Sequence, residues 1–109
     1  MTTFDDRERA FETKYAHDEE LRFRVIARRN RLLGHWAARL MSLSDAEADA
    51  YAKDVIRADF EEAGDEDVIR KLLGDLTAAG VETDDAKIRD ALSDREAEAR
   101  RQIMDQINL

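Results

Sequence analysis

The 109-residue chain has no cysteine, no proline and only four glycines. Without cysteine there is no disulfide framework, no thiolate metal site and no cysteine nucleophile. The lack of proline and scarcity of glycine argue against an all-β chain built on many tight turns. The first residues, Met1 to Asp6, have neither the basic region nor the apolar stretch of a secretory signal. No apolar run approaches the ~18 residues that a membrane span needs. What the chain does have is charge: 40% of its residues are charged, against 43% hydrophobic, and the net charge is −8. That hydrophobic share suffices for one small core. The expectation is a single helical domain, soluble and intracellular.

The charge is unevenly spread. Met1 to Arg39 carries nine basic and seven acidic residues, whereas Asp45 to Leu109 carries nine basic and nineteen acidic. Leu21 to Ser44 holds six arginines and no acid; Asp59 to Asp67 holds six acids. Internal complementarity, a basic helix facing acidic ones, is one use of the arginine run. Nucleic-acid binding is disfavoured, because a net charge of −8 repels phosphate throughout the approach.

Caps and apolar spacing divide the chain into four helices. Thr3 with Asp6 resembles a capping box and opens the first. Its apolar positions, Phe4, Phe11, Tyr15, Ile26, Leu32, Trp36 and Leu40, fall on one side at 100° per residue. Ser44 and Glu47 form a capping box for the second, with a stripe of Tyr51, Ala52, Val55, Ile56, Phe60 and Ala63 that Gly64 should close. Asp65 is expected to cap the third, whose apolar face is Val68, Ile69, Leu72, Leu73 and Leu76, with Gly80 ending it. Thr83 is expected to cap the fourth, with a stripe of Ile88, Ala91, Leu92, Ala99, Ile103 and Ile107. Short links between amphipathic helices predict an all-α four-helix bundle.

The residue types of an active site do not assemble. His17 and His35 stand apart and belong to no H-E-x-x-H pattern. Carboxylate pairs are numerous, as expected of solvated faces in an acidic chain. The acids of Asp59 to Asp67 lack the spacing and closing glutamate of a calcium loop. The isolated glycines build no phosphate cradle. No nucleophile–base–orienter set is present. No enzymatic activity, catalytic residue or metal site is expected.

The first 23 residues are more informative. Four of the seven aromatics, Phe4, Phe11, Tyr15 and Phe23, lie within the first 23 positions. Ordering backbone costs ~1–2 kcal/mol per residue, while burying an aromatic returns only ~1.5–3 kcal/mol. Such a segment is expected to be mobile alone and to become helical in a partner's cleft. The expected division is a conditionally helical arm over residues 1–19 and a four-helix globular domain over 20–109.

Two blocks carry a family resemblance: Phe4-Asp5-Asp6-Arg7-Glu8-Arg9-Ala10-Phe11-Glu12, and Asp59-Phe60-Glu61-Glu62-Ala63-Gly64-Asp65-Glu66-Asp67-Val68. Further matches are Lys14 to Asp18, Ala27 to Gly34, Trp36 to Ala38 and Tyr51-Ala52. With these the chain resembles the zeta subunit of alphaproteobacterial ATP synthase, a family of natural ATPase inhibitors. The resemblance implies an inhibitor of ATP hydrolysis whose N-terminal segment inserts at an interface of the alpha, beta and gamma subunits and blocks hydrolytic rotation. Its partner-binding residues here would be Phe4, Asp5, Asp6, Arg7, Glu8, Arg9, Phe11, Glu12, Lys14 and Tyr15. The free protein is expected to be a cytoplasmic monomer, joined to the inner membrane only through the synthase and not inserted in it. An alternative is a regulatory protein binding ATP or ADP through Arg22, Arg24, Arg28, Arg29 and Arg31, since guanidinium forks suit phosphate; those arginines could equally meet an acidic partner. Otherwise no cofactor is expected. A third option is an adaptor binding through Trp36.

Overall fold

In a computed structural model of the chain, residues 3–59 and 64–107 are described, with side chains from residue 18 onward. Four helices make up the fold: α1 (Thr3–Leu40), α2 (Asp45–Ala58), α3 (Glu66–Ala78) and α4 (Asp85–Ile107). No strand occurs among the described residues, so the all-α four-helix bundle is observed. None of the helices among them is long and apolar enough to cross a membrane.

α1 is the spine. Its 38 residues rise ~57 Å at 1.5 Å each. α2 and α4 lie antiparallel to it, while α3 packs chiefly on α2 and α4. The antiparallel register of α4 is visible in its contacts: Arg24 faces Gln106, Arg28 faces Gln102 and Arg29 faces Glu96. The core joins Leu33 and Ala37 of α1 to Val55, Val68, Ile69, Leu72, Leu76, Ile88 and Ala91. Each large aliphatic side chain buried there contributes ~1.5–3 kcal/mol.

The expected apolar faces of α3 and α4 hold, with Ile107 the exception at 39% exposed. The face of α1 is different. Arg29, Asn30, Leu33, Gly34, Ala37 and Ala38 are buried, while Leu32 and Trp36 are half-buried and Leu40 is exposed. Two helices press on α1 at once, so small residues occupy its closest approaches and bulky ones flank them. Gly34 shows how close: a Cβ there would meet the Ala52 Cα at 2.7 Å.

The ends of the helices follow local chemistry. Ser44 and Glu47 form the expected capping box, the Glu47 amide donating to Ser44 Oγ at 3.2 Å and the Ser44 amide to Glu47 Oε1 at 3.0 Å. Gly80 stops α3 at φ 79°, with the Gly80 amide on the Thr77 carbonyl and the Val81 amide on Leu76, a Schellman arrangement. Ser42 closes α1 in the same way, at φ 60° without being glycine.

Three caps depart from expectation. α2 ends at Ala58, before Gly64; Asp59, Glu61 and Glu62 would place negative charge at the negative end of a longer helix. Gly64 does adopt φ 97°, but it leads into α3. Asp65 stands at the start of α3 without a side-chain cap, because its carboxylate is held by Arg29. Asp84, not Thr83, caps α4: its Oδ1 accepts the Lys87 amide at 2.8 Å. Asp84 immediately precedes α4, and its negative charge suits the helix N-terminus. Phe60 and Ala63, expected in the α2 stripe, lie outside the described residues, as do the side chains of Thr3 and His17.

Candidate functional site

The backbone of the expected arm is part of α1, which starts at Thr3 without a break before Leu40. The side chains of Phe4, Asp5, Asp6, Arg7, Glu8, Arg9, Phe11, Glu12, Lys14 and Tyr15 lie outside the described residues. The first described ones, Asp18, Glu19 and Glu20, are exposed. Phe23 is 62% exposed and lies with Ile26 and Ile56 along an apolar cleft that Asn30 and Asp59 also line.

The arginines adjacent in sequence diverge in space. Arg29 is only 1% exposed. Its Nη2 lies 2.9 Å from Asp65 Oδ1 and 3.7 Å from Asp59 Oδ1, its Nη1 lies 3.2 Å from Glu96 Oε1, and its Nε donates to Asn30 Oδ1 at 3.1 Å. One buried guanidinium therefore ties α1 to the end of α2, the start of α3 and the middle of α4. Arg29 cannot also hold a phosphate or an outside carboxylate without losing these bonds, so it drops out of the five-arginine set.

The other four take different places. Arg28 donates to Gln102 at 2.8 Å and Arg24 reaches Gln106 at 3.5 Å. Arg22 lines a cavity with Arg100 and Met104. Arg31 is exposed between two grooves. Arg28 and Arg31 share a cleft, and there they are joined by Arg39, eleven residues on along the same face of α1, and by Arg95. Arg95 lies on α4, so only the antiparallel register could reveal it. His35 is half-buried, and its Nε2 is 3.3 Å from Asp49 Oδ1. Trp36 is half-buried and packs against the core.

The acids mostly serve the fold. Asp59 and Asp65 face Arg29. Glu66 pairs with Arg89 at 2.9 Å, and that hydrogen bond holds its carboxyl below the usual glutamate value. Asp67 meets Arg70 at 3.1 Å. The Tyr51 hydroxyl donates to Asp75 at 2.7 Å, and Lys71 approaches the same carboxylate at 3.0 Å. Desolvation first, then the bond to Asp75, pushes the Tyr51 hydroxyl far above its ordinary pKa, so it remains a donor stapling α2 to α3. Among the described residues no group of three His, Cys, Asp or Glu side chains could hold a metal ion.

Comparison with curated proteins returns no match. A protein solved by solution NMR superposes with a TM-score of 0.70 at 45% identity, over 79% of this chain and 98% of its own. The model of the family ATPase inhibitor subunit zeta matches residues 1–102, spanning the arm block, the arginine helix and the Arg29 carboxylates. With a helical bundle that its solved relative shares, the chain belongs to the ATPase inhibitor subunit zeta family.

Proposed function

We propose that this protein inhibits ATP hydrolysis by the catalytic head of an F-type ATP synthase, with residues 1–19 as the inhibitory arm and 20–109 as its globular base. The family match over residues 1–102 carries the proposal, because it takes in both parts. The arm enters as a helix between the alpha and beta subunits and reaches the gamma subunit. Phe4, Phe11 and Tyr15 are its apolar anchors. Asp5, Asp6, Arg7, Glu8, Arg9, Glu12 and Lys14 make the polar contacts at its edges. A wedge in that place prevents a catalytic site from opening and closing, and so stops rotation in the hydrolytic direction. The globular part contributes a helix that is already formed: α1 continues through the bundle, so the arm extends an existing helix and avoids the nucleation cost of a new one.

An ATPase assay on the cognate catalytic head tests the proposal. Full-length protein should inhibit. Protein lacking residues 1–19 should not, while keeping its helical circular dichroism. Equal inhibition by both would end the proposal.

A further inference from the structure

The chain carries a net charge of −8, yet four guanidinium groups gather in one groove between α1 and α4. Arg28, Arg31 and Arg39 come from α1, and Arg95 faces them from α4. Among the described residues, none of the four has a carboxylate within ion-pair distance; Arg28 bonds the neutral Gln102. Elsewhere Arg57, Arg70 and Arg89 each find an acid three or four residues away on their own helix. Glu98, the one acid lining the groove, accepts from Gln102 at 3.4 Å. The groove has a volume of about 650 Å³ and is part-lined by Leu32 and Trp36, both half-buried.

We propose that this groove is a second docking site, distinct from the arm, and that its ligand is an acidic amphipathic helix of a protein partner. Charge sets the class of ligand: unpaired guanidinium groups in a protein otherwise rich in acid attract carboxylates and repel basic surfaces. Length sets its form. Arg28 to Arg39 covers twelve residues of α1, ~16 Å or three helical turns. That span suits a row of carboxylates at i, i+4 on a helix better than one small anion. Composition sets its other face: Leu32 and Trp36 offer an apolar strip between the arginines, which an amphipathic helix can cover. Arg28, the groove's first arginine, lies nine residues or ~13 Å of helix beyond Glu19, where the arm ends. The groove can therefore engage whether or not the arm is docked. When both contacts fall on one assembly, the second raises the effective concentration of the first.

Trp36 is the only tryptophan, so its emission reports on the groove directly. The probe is a synthetic helical peptide of about 14 residues bearing glutamates at i, i+4 with leucines beside them. It is titrated into the full chain, in parallel with the lysine counterpart of the peptide, inorganic phosphate and ATP. The expected result is a saturable change in Trp36 emission with the acidic peptide alone. Amide shifts should be confined to Arg28–Arg39 and Arg95–Gln102. Binding should weaken roughly tenfold or more in the double variant Arg31→Glu/Arg95→Glu, and similarly at about 0.5 M salt. Neither residue has an ion-pair partner to lose, so the variant should keep its circular dichroism. Three results would each overturn the proposal: no saturable change; full binding by the double variant; or an equal change with phosphate or ATP that displaces the peptide, which would make the groove a small-anion site.

Discussion

Gly34 of α1 faces Ala52 of α2 so closely that a Cβ on Gly34 would stand 2.7 Å from the Ala52 Cα and 3.2 Å from its Cβ. The nearest obstacle is backbone, which cannot rotate away. Glycine is required here by the approach of two helices, since α1 is an unbroken helix through this position. Ala48 and Ala52, one turn apart and both buried, present the matching small surface on α2.

Gly34→Ala should therefore force α1 and α2 apart. An overpacked core site costs roughly 1–3 kcal/mol. Urea unfolding should show a lower midpoint with an unchanged m-value. A midpoint equal to that of the parent protein would contradict the close contact.

Gly74 should behave in the opposite sense. It lies inside α3, and nothing stands within 4 Å of a Cβ built on it. Gly74→Ala should stabilise by about 0.5–1 kcal/mol through helix propensity alone. Ser42, at φ 60°, is the reverse: Ser42→Gly removes the left-handed penalty and should stabilise by a similar ~0.5–1 kcal/mol. Thermal melts of the two variants and of their combination should rise, and the two increments should add, because the sites share no partner.

Arg29→Met should be among the most damaging single changes. It keeps the buried aliphatic length but strands Asp59, Asp65 and Glu96 around an apolar group. Removing one member of a fully buried pair costs ~3–5 kcal/mol. Asp65 and Glu96 are 45% and 37% exposed and can turn to water, so a loss of about 2–3 kcal/mol is expected. Adding Asp65→Asn to Arg29→Met should cost less than the sum of the two single changes. Strict additivity would show that Arg29 and Asp65 are not coupled.

Glu47 and Glu66 should titrate below the ordinary glutamate value of 4.5. For Glu47 the backbone hydrogen bond at Ser44 is the main cause; for Glu66 it is the hydrogen bond from Arg89. A depressed folded value means that the carboxylate's stabilisation is fully present above about 4.5 and is lost as pH falls through the lower folded value. Carboxyl carbon shifts followed by NMR should give both midpoints below 4.5. In Arg89→Gln the Glu66 midpoint should move upward while that of Glu47 stays put.

Local chemistry made much of the bundle legible. Ser44 with Glu47, and Gly80 after an apolar run, mark their helix ends through bonds spanning only a few residues. The stripes of α3 and α4 follow from a period of 3.6, and each buries the face that its spacing predicts, Ile107 at the end of α4 excepted. Thr83 and Asp84 are both capping residues one position apart, and the start of α4 at Asp85 decides between them.

The amino-acid sequence by itself determined the helical class, the positions of four helices and the contrast between a basic first third and an acidic remainder. These depend on propensity, periodicity and composition, which act within a few residues. Only the tertiary structure decided what the charges do. It buried Arg29 among carboxylates 30, 36 and 67 residues away, and so took one arginine out of a run that reads as a single patch. It brought Arg95 across to Arg28, Arg31 and Arg39, and so completed from a second helix a groove whose α1 wall alone follows from helical spacing. Electrostatic partners are chosen by which helix lies beside which, and that choice belongs to the packing of the whole chain.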